Sequence, residues 1–277
     1  DERFLMAKKA IEDNLSVYLE NIEVIKSEDL VPDLYLEHNC SLLLRGFRNQ
    51  EDIDYEEKQI AQFKLINPNI VHKCVKSFGL SEWNYDLISS TLVKSFAKKN
   101  VDISKYVPLF IKRAVEEKLN LQLKFGMVGE DFEQVKKTAL DLKLFIQNNG
   151  SDLTLIDFEE LLDSVYKEVP GPHDKCSQVN FWAQYRKLMK DKTGFIAIVC
   201  KASTVLKNDV AQLVNGNMIF VGENNQEYID TFQKFIKANK TGSTAIFNPL
   251  LKYSSLEDYE YSLRRLRREV AKIFTTE

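Results

Sequence analysis

The chain is poor in the residues that punctuate or staple a polypeptide, with 10 Gly, 6 Pro and 4 Cys among 277 residues. That scarcity, with 29% charged and 44% hydrophobic residues, excludes collagenous, low-complexity and disordered classes. Cys40, Cys74, Cys176 and Cys200 form no CxxC pair. Disulfide frameworks belong to shorter, cysteine-dense secreted chains, so these four read as reduced thiols. No apolar run approaches the ~20 residues that span a bilayer. The longest, Phe195-Ile196-Ala197-Ile198-Val199-Cys200, has the length of a buried strand. No signal peptide is legible, so the expectation is a cytoplasmic or otherwise intracellular protein without a membrane partner. Without a secretory signal, the Asn-x-Ser/Thr strings at Asn14, Asn39, Asn149 and Asn239 read as chance matches.

Catalytic signatures are also missing. There is no GxxxxGK[ST] phosphate loop, no GxSxG nucleophile elbow and no HExxH. Leu42-Leu43-Leu44-Arg45-Gly46 starts like a phosphate loop, but Glu51 and Asp52 stand where glycine and lysine are needed, and their charge repels a triphosphate. Gly126 and Gly129 lack the third glycine of a dinucleotide fingerprint. His38, His72 and His173 are scattered. His72/Cys74 and His173/Cys176 each offer half a zinc site, so no metal-ligand set is assigned. Pro32-Asp33 with Glu37-His38 resembles only fragments of a nuclease site.

What is present is periodicity. Phe4, Ala7, Ile11, Leu15, Tyr18, Ile22 and Ile25 recur at helical steps and predict a docked N-terminal helix. Residues 41–147 read as several helices, and Asn148-Asn149-Gly150-Ser151 as the turn between two domains. After it come short strand-like runs at Leu153–Ile156, Phe195–Cys200, Met218–Val221 and Thr244–Phe247, interleaved with helical segments. Pro170-Gly171-Pro172 reads as a surface loop. Ser255 caps a last helix, with Asp258 as its capping-box partner. The expected fold is α/β and helix-rich: a mostly helical domain over 1–148, then a mixed or mostly parallel sheet flanked by helices over 151–277.

Two constellations bear on function. Lys175–Lys207 holds seven basic residues and a single acid, Asp191. Within it Phe181, Trp182, Tyr185, Arg186, Lys187, Lys190 and Lys192 interleave aromatic and basic side chains, a pattern that stacks on bases and neutralises phosphates. Arg264, Arg265, Arg267 and Arg268 add a second basic element, with Arg264 and Arg268 on one helical face. The expectation is therefore a non-catalytic binding or assembly protein without a cofactor. Nucleic acid would be held by Trp182, Arg186, Lys187, Lys190, Lys192, Arg264, Arg265 and Arg268, and the helical half would contact protein partners or a second copy. The alternative rests on Leu153-Thr154-Leu155-Ile156-Asp157-Phe158-Glu159-Glu160. A buried strand ending in acids positions carboxylates for magnesium, which would make a phosphate-transfer or nuclease-type core, intact or degenerate, centred on Asp157 and Glu159. Asp163 and Lys201 would join that centre if adjacent strands met, and the tip of Phe195–Ser203 would face a phosphate. The quieter reading of the same acids is a strand end followed by the first turn of a helix. Sequence does not decide between enzyme and binding protein.

Overall fold

A computed structural model describes residues 2–76, 88–168, 175–205, 210–222, 226–239, 243–247 and 256–275. The chain divides into two compact units, Asp1–Leu92 and Val93–Glu277.

In the first unit, α1 (Glu2–Asn14) is followed by a 3-10 turn (Ser16–Asn21) and α2 (Val31–Glu37). The helical period running to Ile25 therefore outlasts the helix, which stops at Asn14, and α1 buries no residue. Of Leu42-Leu43-Leu44, the last two belong to a strand. β1 (Leu43–Phe47) pairs in parallel with β2 (His72–Lys76), Arg45 lying opposite Cys74, and α3 (Gln50–Ile66) is the crossover between them. Arg45 pairs with the buried Glu56 of α3, which ties the helix to the strand. α4 (Ser90–Lys98) contains the boundary between the units.

The second unit opens with α5 (Leu109–Asn120) and is built on a parallel sheet. Its strands are β3 (Gln122–Gly129), β4 (Leu153–Asp157), β5 (Gly194–Lys201), β6 (Asn217–Val221) and β7 (Ser243–Phe247), in the spatial order β4-β5-β3-β6-β7. Between them run α6 (Phe132–Asn148), α7 (Phe158–Glu168), α8 (Lys175–Met189), α9 (Ala202–Val205), α10 (Val210–Leu213) and α11 (Gln226–Asn239), and α12 (Leu256–Thr275) follows β7. The parallel α/β architecture read from the interleaved runs is the one observed. Its central strand, however, is β3, a segment read as helical from the sequence, and both Gly126 and Gly129 lie in it. The Asn148–Ser151 turn lies inside this unit, linking α6 to β4. Both β3 and α6 fall in the second unit, Val93–Glu277. The Pro170–Pro172 loop and the Ser255 cap fall outside the described residues.

Strand periodicity splits the core in two. Phe125, Met127, Ala197, Val199, Ile219 and Val221 meet α6 and α12 on one face. Val128, Ile196, Ile198, Cys200, Met218 and Phe220 meet α7 to α11 on the other. Among the described residues, no helix is long and apolar enough to cross a membrane.

Candidate functional site

The carboxyl end of parallel strands is where open α/β sheets bind ligands, and each unit has one. In the first, β1 turns directly into α3. Asn49 is extended (φ −140°), and its side chain accepts the Asp52 N–H at 2.9 Å, capping the helix. Arg48 fills the turn. Its backbone N–H and Nε donate to Asp52 Oδ2 at 3.0 and 2.9 Å, and Nη2 donates to Oδ1 at 3.2 Å. Hydrogen bonds from this fork hold the Asp52 carboxyl below its ordinary range.

The same guanidinium reaches across to the start of α4, where Nη1 donates to the Ile88 carbonyl at 2.9 Å. Next to it, Ser89 Oγ accepts the Leu92 N–H at 3.1 Å and caps α4. The first turn of α4 holds no acid, and Ser90 and Thr91 are exposed. A strand end and a helix N-terminus furnished with hydroxyls are thus held together by Arg48. Amides and hydroxyls in that arrangement suit an anion. The sequence reading passed over Arg48, Asn49 and Ser89. The signals it held were Arg48-Asn49 directly after a strand-length run, and Ser89-Ser90-Thr91 ahead of an amphipathic helix.

In the second unit the chain leaves β3 through α6 on one face and β5 through α9 and α10 on the other, so the switch point lies between β3 and β5. The adjacency of β4 and β5 brings Asp157 and Glu159 beside Lys201. Asp157 lies opposite Val199, and Glu159 Oε1 accepts the Lys201 backbone N–H at 2.9 Å. Asp157 Oδ1 accepts the Glu160 N–H at 3.0 Å and so caps α7. Asp163 is exposed on α7 and Ser203 on α9. Two ammonium groups flank the Phe132 ring, Lys136 at 4.8 Å and Lys201 at 5.7 Å from its centroid. Lys136 also pairs with Glu133 at 2.6 Å; that hydrogen bond, with Asp157 and Glu160 nearby, raises its pKa. Burial, followed by Glu159 and Asp157, pushes the Cys200 thiol well up, which leaves it an apolar side chain. Among the described residues, no group of three His, Cys, Asp or Glu side chains is arranged to hold a metal ion.

At the amino end of β3 lies a buried charged network. Glu116 Oε1 meets Lys112 Nζ at 3.0 Å and Lys124 Nζ at 3.1 Å, and Asn215 donates to Oε2 at 2.8 Å. Lys112 Nζ also donates to Asn215 Oδ1 at 2.8 Å and to the Gln212 carbonyl at 2.9 Å. Burial pushes the Glu116 carboxyl up, but the two ammoniums and the hydrogen bonds outweigh it and hold it below its usual value. Burial likewise raises the Tyr185 phenol. The network fastens α5 to β3 and to the turn before β6.

The basic residues singled out in the sequence are spread over two helices and a turn. Trp182 is half-buried, packed edge-on against Phe181 (5.4 Å) and Tyr185 (5.7 Å) beside the core. Arg186 is half-buried, while Lys187, Lys190 and Lys192 are exposed. Arg264, Arg265 and Arg268 are exposed on α12, whose Leu263, Leu266 and Val270 are buried. Glu269 pairs with Lys272 at 2.8 Å.

No family model matches the chain. A stretch of 118 residues, 43% of the chain, is 29% identical to the phosphopantetheine adenylyltransferase of Staphylococcus haemolyticus (strain JCSC1435) and covers 68% of that protein. A match of that length exceeds the first unit, Asp1–Leu92, so at least part of it falls in Val93–Glu277. By its name that relative is a nucleotidyltransferase.

Proposed function

We propose that this chain is a phosphate-transfer protein that binds a nucleotide, with the nucleotide's phosphates held at the carboxyl end of β1 and the amino end of α4. The observation that carries this reading is the similarity to an adenylyltransferase. It fits the phosphate-transfer alternative of the sequence reading and lends nothing to the non-catalytic one. The first unit supports it independently. An adenylyl transfer moves a phosphoryl centre between oxygens, so the protein's task is to position the phosphates and offset their charge. The α4 amides and the hydroxyls of Ser90 and Thr91 would face the phosphates, while Arg48 acts as a positioning residue that sets Ile88 and the helix start against the strand end. Magnesium would arrive with the nucleotide, held mainly by the phosphate oxygens.

The test is calorimetric titration with ATP and magnesium, followed by an assay for pyrophosphate release from ATP with and without phosphopantetheine. Saturable ATP binding that weakens in Arg48→Ala supports the reading; no binding at millimolar ATP overturns it.

A second reading keeps nucleic acid as the ligand, on the exposure of Lys187, Lys190, Lys192, Arg264, Arg265 and Arg268. The packing of Trp182 beside the core limits its use as a stacking platform. Anisotropy with labelled single strands across a salt series tests this reading, and binding that ignores salt counts against it.

A further inference from the structure

We infer that Asp131 and Asp157 close the switch-point crevice of the second unit to phosphate, so that the chain carries one nucleotide site rather than two. This rests on the reading of the first unit given above and extends it to the second. The second sheet has the parallel order and the crossing connections that open a ligand crevice at the carboxyl ends of β3 and β5. A phosphate there would need free amides at a helix start and a loop long enough to wrap it.

Neither is offered. A Cβ on Gly129 would lie 2.3 Å from the Val221 carbonyl oxygen, so the end of β3 is pressed against the end of β6. Only Glu130 and Asp131 then separate β3 from α6. Asp131 Oδ1 accepts the Gln134 N–H at 3.1 Å, which places a carboxylate of the chain itself where a phosphate oxygen would sit. Asp157 does the same for α7, and Glu159 engages the last amide of β5.

Charge completes the exclusion. Glu130, Asp131, Glu133, Asp157, Glu159 and Glu160 stand in the loops and first turns around this edge. Lys136, which pairs with Glu133, and Lys201 lie among them. A polyphosphate would meet a field of its own sign.

The experiment is calorimetric titration of the full chain and of an Asp131→Ser/Asp157→Ser double variant, with magnesium–ATP and separately with inorganic tripolyphosphate. Serine keeps both helix caps and removes both charges, and circular dichroism confirms that the variant folds. The expected result is one ATP per wild-type chain and additional tripolyphosphate binding, at least tenfold tighter than wild type, in the double variant. Two ATP per wild-type chain overturns the inference. So does a folded double variant that binds tripolyphosphate no better than wild type. Zero ATP per wild-type chain overturns the first-unit reading instead, and the tripolyphosphate comparison still decides the second unit.

Discussion

Arg48 Nη1 donates to the Ile88 carbonyl oxygen at 2.9 Å, across 40 residues of sequence. Its other guanidinium nitrogens grip Asp52 in the first turn of α3, so a single side chain sets two helix starts against the end of β1. Planar, bidentate geometry of this kind is available to arginine and not to lysine.

Arg48→Lys is therefore expected to weaken ATP binding by roughly tenfold or more, because a charge-assisted contact is lost and the α4 start is no longer held. The thermal midpoint should move little beside that loss. Calorimetry on the wild type and variant checks it, and unchanged affinity would remove Arg48 from the site.

Ser89 separates capping from ligand binding. Ser89→Ala should cost about 1 kcal/mol of stability through loss of the cap. Ser89→Asp restores a cap but puts a carboxylate at the helix start, as Asp131 and Asp157 do in the second unit. It should regain the stability and lose ATP affinity. Denaturant titration paired with calorimetry separates the two effects.

The Lys112–Glu116–Lys124 network predicts a pH dependence. Burial works against the Glu116 charge, yet the two lysines hold its pKa below the ordinary glutamate value of 4.5. A depressed folded-state value means that the stabilisation is complete above the unfolded value and is lost as pH falls through the folded one. Urea midpoints should hold down to about pH 5 and then drop. Glu116→Gln leaves two buried ammoniums uncompensated and should cost about 3–5 kcal/mol at neutral pH, with a smaller acid-dependent loss than wild type.

Gly129→Ala tests the packing of the central strand end. The added methyl would stand 2.3 Å from the Val221 carbonyl oxygen and 2.8 Å from Val135 Cγ2. The first of these is backbone in a neighbouring strand and yields poorly, so a loss of about 1–3 kcal/mol is expected, read as a lowered thermal midpoint.

Thiol labelling gives an independent check on the core. Cys40 is exposed and should react with an aromatic disulfide reagent in the native state, whereas Cys200, buried with its thiol pKa raised, should react only on unfolding.

The class of fold and four of the strands of the second sheet are legible in the sequence. Runs such as Phe195–Cys200 are long enough, apolar enough and bounded clearly enough to admit one reading. The sequence reading misjudged the segments where local pattern is ambiguous. Gln122-Leu123-Lys124-Phe125 alternates polar and apolar residues as a half-exposed strand does, yet Gln122 and Lys124 are buried, Gln122 donating to the Lys192 carbonyl and Lys124 pairing with Glu116. The helical period of the N-terminus runs on to Ile25 although α1 ends at Asn14. Tertiary structure alone decided that β3 is central, that Asp157 and Glu159 meet Lys201, and that Arg48 reaches Ile88. Each depends on which strands adjoin and where a crossover returns. Those are long-range choices set by burying both faces of a parallel sheet, and no window of neighbouring residues records them.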